Sequence, residues 1–142
     1  MMMYNRLFLT LSISCICLFY SCHTFSQSFD EVKTKILFDK FNKQTKTPFS
    51  FKVLNDFLLN VKIEELKKGK IFQKEVLFEK FKNDCIDILE LSYDEPTKSF
   101  ILKVNEATFV KELDWCPEHT YLGSFKIINN KIMNTDFKLV AG

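Results

Sequence analysis

Glycine and proline are scarce, with three of each in 142 residues. That poverty excludes several site types outright. There is no Gly-rich loop to cradle a phosphate, no Gly-x-Ser-x-Gly elbow to present a nucleophile, and no His-Glu-x-x-His pair to hold a catalytic zinc. Histidine is rarer still, with His23 and His119 alone. Charge of one sign is also missing: twenty basic residues face eighteen acidic ones. A chain built to grip nucleic acid usually carries a basic excess on one face, so nucleic acid is not expected as a partner.

What is present begins with a leader. Met1 to Arg6 carries one positive charge, and Leu7 to Tyr20 follows with none. That run suits the apolar region of a signal peptide and is short for a membrane span. Small Ser26 with Thr24 two residues before it places cleavage between Ser26 and Gln27. This divides the chain into a signal peptide, residues 1–26, and a single domain, residues 27–142. Cys22 is the rival mature N-terminus, as a lipid-anchored cysteine, although bulky Phe19 and Tyr20 fit a lipobox poorly. An uncleaved anchor is the third reading. The expected location is therefore periplasmic or extracellular, with membrane contact only if Cys22 is lipidated.

Beyond Ser26 the formal charge is +1, from nineteen basic and eighteen acidic residues, and thirteen of the sixteen Phe remain. Such a segment has ample apolar material for one core and little of the signature of disorder. Of its cysteines, Cys85 and Cys116 survive removal of the leader. In an oxidising compartment an even pair is most simply a disulfide. Closing a loop of that length is worth roughly 3–4 kcal/mol by loop entropy.

The pattern then predicts helices first. Ser28 and Glu31 have the spacing of a capping box, and Phe29, Val32, Ile36, Leu37 and Phe41 recur at helical spacing, giving a helix from Phe29 to about Lys43. Thr47-Pro48 opens a second helix whose stripe, Phe51, Leu54, Leu58 and Val61, is widened by Phe57, Leu59, Ile63 and Leu66. Lys67-Lys68-Gly69 stops it. Residues 71–83 hold the good helix formers Lys74, Glu75, Glu79, Lys80 and Lys82, and are read as helix. The acids interleaved among the lysines from Lys62 to Lys82 predict a salt-bridged, solvated face rather than an anion-binding one.

From Cys85 the period changes to two. Leu89, Leu91 and Tyr93 alternate, then Phe100, Leu102 and Val104, across a four-residue loop read as Asp94 to Thr97. Ile86 and Ile88 fall on the opposite parity, which points to a bulge or to burial on both faces. Phe109 to Trp115 reads as a further strand. In the last hairpin, placing Tyr121, Phe125 and Ile127 on one face with Met133, Phe137 and Leu139 requires an odd loop. Asn129-Asn130-Lys131 is therefore expected, pairing Ile128 with Ile132. The fold class is α+β: N-terminal helices packed on one face of a C-terminal antiparallel sheet of four to five strands. That order of elements resembles cystatin-like and nuclear-transport-factor-like folds, a likeness that implies nothing about function.

One dense cluster of reactive residue types exists, Trp115-Cys116-Pro117-Glu118-His119. Cys116 and His119 are the types of a thiolate–imidazole enzyme site. Together with Cys85 and Asp114 they also match a zinc site in number, though not in the usual close pairing. The simpler reading uses Cys116 in the disulfide, Pro117 to end a strand and Glu118-His119 in a turn. No catalytic residue, metal or cofactor is then assigned. The acid pairs Glu64/Glu65, Asp94/Glu95 and Glu112/Asp114 read as solvated surface. The expectation is an exported, non-enzymatic binding or accessory module with Trp115, His119 and Tyr121 as binding candidates. Its partner is a protein or a small apolar ligand, held on the concave sheet surface or the Trp115–Tyr121 loop. The alternatives are the Cys116/His119 enzyme or zinc protein and the lipid-anchored surface protein.

Overall fold

The computed structural model describes residues 27–45, 50–77, 85–107 and 110–141; the expected leader at residues 1–26, with cleavage after Ser26 or lipidation at Cys22, lies outside them. Three helices precede five strands: α1 (Glu31–Thr45), α2 (Phe51–Leu59), α3 (Ile63–Lys67), β1 (Phe72–Leu77), β2 (Ile86–Asp94), β3 (Ser99–Ala107), β4 (Glu118–Ile128) and β5 (Lys131–Ala141). The strands form one antiparallel sheet in the order β1-β2-β3-β4-β5. Helix α1 runs along β5 and packs on α2, while α3 sits against β2. The protein is thus α+β, with the helices N-terminal to the strands they cover.

Helix α1 is capped by Asp30, and Ser28 is not the cap. The Lys33 N–H donates to Asp30 Oδ1 at 2.8 Å, and the Lys33 ammonium pairs with Asp30 Oδ2. Its buried face also differs from the expected stripe. Val32 is 70% exposed and Ile36 lies at the surface, whereas Lys33 and Thr34 are buried beside Leu37 and Phe41. The two polar residues enter because each is satisfied locally. Lys33 holds Asp30, and the Thr34 hydroxyl donates to the Asp30 carbonyl at 2.9 Å. Hydrophobic periodicity cannot register that local satisfaction.

The second helix divides in two. Ser50 Oγ accepts from the Val53 N–H at 3.3 Å and opens α2; Thr47 and Pro48 lie outside the described residues. The helix stops at Leu59, where the Asn60 N–H bonds back to the Phe57 and Leu58 carbonyls and its side chain donates to the Asp56 carbonyl at 2.6 Å. This break explains the wide stripe. Leu54, Phe57 and Leu58 from α2, and Ile63 and Leu66 from α3, all reach the core from two separate helices, while Leu59 stays exposed. Gly69 ends α3 with φ of 90°, the left-handed conformation expected of it. The expected lysine–acid pairing forms here, with Glu65 held by both Lys62 and Lys70.

Phe72–Leu77 is a strand, correcting the expected helix over 71–83; residues 78–83 lie outside the described set. Each helix former there gains at most about 0.7 kcal/mol over an ordinary residue. Pairing with the otherwise open edge of β2 outweighs that, and it buries Val76. The β2–β3 loop has the expected four residues but sits one position later, at Glu95–Lys98, so Tyr93 pairs with Phe100. Parity is preserved. Strand β2 runs without a bulge, and Ile86 and Ile88 are half-buried on its outer face.

The last hairpin corrects the odd-loop expectation. Ile128 pairs with Lys131 across a two-residue turn, Asn129-Asn130, with both residues at positive φ (49° and 61°). That is the twist two-residue hairpins favour. A register shift between Ser124 and Lys126 then restores parity, so Ile132 and Phe137 both face the core while Met133 and Leu139 are exposed. Between the layers, the Phe29 ring meets Phe100 and Phe125 edge-on at 6.1 Å, and Phe41 meets Phe137 at 5.3 Å. Leu37, Leu54, Leu91, Leu102 and Val104 are fully enclosed around them.

Candidate functional site

The β3–β4 connection carries a covalent cross-link. Cys116 is disulfide-bonded to Cys85, at the entry to β2, with a Cα–Cα separation of 5.9 Å. This is an ordinary distance for a bridge. The pairing expected from the cysteine count therefore forms. Oxidised in this way, Cys116 carries no thiolate beside His119. No group of three or more His, Cys, Asp or Glu among the described residues is placed to hold a metal ion.

Upstream of the bridge the chain turns on itself. The Val110 N–H donates to the Trp115 carbonyl at 3.0 Å, closing a turn over residues 111–114 in which Asp114 has φ of 52°. This turn replaces the strand expected from Phe109 to Trp115; Phe109 itself lies outside the described residues. Reversal puts Leu113 and Trp115 out in solvent, 57% and 56% exposed. Lys111, Glu112, Asp114 and Glu118 flank them in the chain and are likewise exposed, three acids with one cation.

His119 and Tyr121 sit on β4, on the parity shared by Gly123 and Phe125, and so on the helix side of the sheet. Tyr121 is tied inward. Its ring meets Phe41 edge-on at 6.0 Å and its hydroxyl donates to the Glu106 carboxylate. Burial, with the Glu106 charge and hydrogen bond behind it, pushes its pKa up. Trp115 therefore stands apart from the other two candidates, on the loop, while His119 and Tyr121 belong to the end of the sheet.

Two residues missed in the sequence complete that end. His119 pairs with Glu106 across the β3–β4 ladder, and one step beyond the Ile88–Asn105 pair lies Asp87. Val76, Asp87, Glu106 and His119 thus form one transverse row on the helix side of β1 to β4. Asp87 is 2% exposed; its Oδ1 accepts the Ala107 N–H at 2.8 Å, and its Oδ2 has no partner among the described residues. Desolvation first, and the neighbouring Glu106 charge with it, push its pKa up to about 6 against the pull of the Ala107 hydrogen bond. The signal was available. Stepping back by two from Tyr93, Leu91 and Leu89 reaches Asp87, an acid on an otherwise apolar parity.

Two open clefts of about 340 Å³ lie elsewhere. One is bordered by Lys67, Tyr93, Lys98 and Lys126 at the hairpin-turn end, the other by Gln27, Val61, Glu64 and Glu65. Neither touches Trp115, His119 or Tyr121. No helix among the described residues is long and apolar enough to cross a membrane. No family model, no curated protein and no solved structure matches the chain.

Proposed function

We propose that this is an exported, non-enzymatic binding or accessory module that docks a protein partner through the disulfide-anchored turn at residues 110–115. One observation carries the reading: two large apolar side chains, Leu113 and Trp115, stand in solvent on a turn fixed at its base by the Cys85–Cys116 bridge. Exposing them costs solvation free energy, and anchoring the turn lowers the ordering entropy lost on contact. A central Trp with an apolar neighbour and a charged rim has the composition of an interface hot spot. The rim selects the partner's chemistry. With Glu112, Asp114 and Glu118 against Lys111, it favours an apolar pocket edged by basic groups and disfavours an anionic lipid surface. A small apolar ligand is supported less, because the helix side of the sheet is filled by Leu37, Phe41, Leu54 and Leu58. Export is supported by the disulfide, which persists in oxidising compartments, and by the leader at residues 1–26.

Position-specific photocrosslinking in the producing cell tests this. A crosslinker at Leu113 is expected to give a discrete protein adduct that Trp115→Ala abolishes and that weakens with added salt. The same probe at Lys52, on α2, gives none. Adducts alike at both positions, or indifferent to Trp115→Ala, refute the reading. Intact mass of the exported chain decides the N-terminus: a start at Gln27 is expected, and a diacylated Cys22 would instead make it a lipid-anchored surface protein.

A further inference from the structure

We infer that Asp87 is a proton-dependent latch that holds the root of the disulfide-closed connection between β3 and β4, engaged in mildly acidic surroundings and released near neutrality. The geometry is the basis. Asp87 reaches from β2 to the Ala107 N–H at 2.8 Å, the last residue of β3 before the connection departs, and so fastens one end of that segment. Cys85, two residues before Asp87 and on the same parity, fastens the other end through Cys116. Both anchors of the connection are therefore on the start of β2. The second Asp87 oxygen is enclosed and unpartnered among the described residues.

Among the described residues, the groups facing Asp87 supply no compensating cation. Across the ladder, β3 offers Glu106, an acid of like charge that also receives the Tyr121 hydroxyl. Beyond it β4 offers His119, opposite Glu106 rather than Asp87. Beside it β1 offers Val76, with Lys74 one step further along the same face and exposed. The charges of α3 lie elsewhere: Lys67 borders a cleft with Tyr93, at the other end of β2, and Glu64 and Glu65 border the second cleft. A proton on Asp87 removes a buried charge while leaving Oδ1 to accept from Ala107. Loss of that proton leaves a charge on buried Asp87, one of its oxygens unpartnered among the described residues and an acid of like charge beside it, and opening the β3 end relieves this.

The sign follows from the raised value. A carboxyl whose folded pKa stands at about 6 against 3.8 in the ordinary state contributes stability that is complete below 3.8 and lost as pH rises through 6. At tenfold per pKa unit, the closed-to-open ratio changes by up to roughly a hundredfold. The latch does not depend on the turn having a partner.

The test uses the oxidised, exported chain. Amide protection factors at Ala107 and at the Val110–Trp115 bridge are expected to fall by up to about tenfold between pH 5 and 7.5, while amides in β4–β5 stay constant. Asp87→Asn, which keeps an oxygen for Ala107 and cannot ionise, should abolish the transition. His119→Ala should leave it intact, excluding the imidazole as its source. The Asp87 carboxyl carbon, followed by NMR in the unaltered chain, should titrate near pH 6 and stands independent of whether Asp87→Asn folds. Protection unchanged with pH, a transition that vanishes with His119→Ala, or an Asp87 titration at an ordinary carboxylate pH would each overturn the latch.

Discussion

Gly123 on β4 faces Phe137 on β5, and the Phe137 ring occupies the space where a side chain at 123 would begin. Glycine is needed there for room and not for backbone freedom, since its φ is not among the positive values. Phe137 is 4% exposed and braced by Phe41, so it cannot swing aside. Substituting Gly123→Ala therefore forces two core elements apart. Overpacking of this kind costs typically about 1–3 kcal/mol, to be read as a lowered midpoint in urea denaturation. Combining it with Phe137→Leu should recover part of the loss, and a single variant as stable as the parent chain would show that the ring is free to move.

The same hairpin shows how far the sequence could be read. Alternation in β2, β3 and β4 was legible because Leu89, Leu91, Phe100, Leu102 and Phe125 mark one face without interruption. Parity arithmetic failed in β5 because it assumed an unbroken ladder. The shift between Ser124 and Lys126 lets a two-residue Asn129-Asn130 turn coexist with buried Phe137, and nothing local announces such a shift. Periodicity identifies helix α1 but not its inward face, since Lys33 and Thr34 become burial-tolerant only through Asp30. Asp87 was legible in principle as an acid on an apolar parity. Its row with Glu106 and His119 depends on register across three strands, which no local pattern contains.

The cap on α1 separates two readings of one stretch. Asp30 accepts the Lys33 N–H and the Lys33 ammonium, whereas Ser28 is exposed. Asp30→Ala should cost about 1 kcal/mol of stability, the usual loss for an N-cap, and Ser28→Ala close to nothing. Burial raises the Asp30 carboxyl slightly, but the hydrogen bonds and charge of Lys33 outweigh it, so its pKa falls below 3.8. A depressed acid contributes stability that is present above pH 3.8 and lost as pH falls through the lower folded value. Denaturation midpoints measured from pH 5 down to pH 2 should therefore converge between the parent chain and Asp30→Ala at the acid end. The solvent-facing side of Asp30 keeps the effect small.

The disulfide makes a separate demand on stability. It links residues 31 apart in the chain, and among the described residues the connection between β3 and β4 holds one isolated backbone bridge, Val110–Trp115. Little else restrains that connection once the sulfurs part, so the bond's effect should fall mainly on the unfolded chain and on the turn itself. Replacing Cys85 and Cys116 together by Ala is expected to cost roughly 3–4 kcal/mol, seen in urea denaturation as a lower midpoint. The slope should also steepen, because an uncrosslinked unfolded state exposes more surface. Reduction of the parent chain should reproduce both changes, while the β4–β5 hairpin, which shares no residue with the bridge, keeps its amide protection in the folded state. Trp115 reports on the turn directly: its emission should become that of a mobile, fully hydrated indole in the double variant. An unchanged midpoint with unchanged emission would mean that the turn holds its shape without the sulfurs, and the anchoring assigned to them would have to come from Asp87 alone.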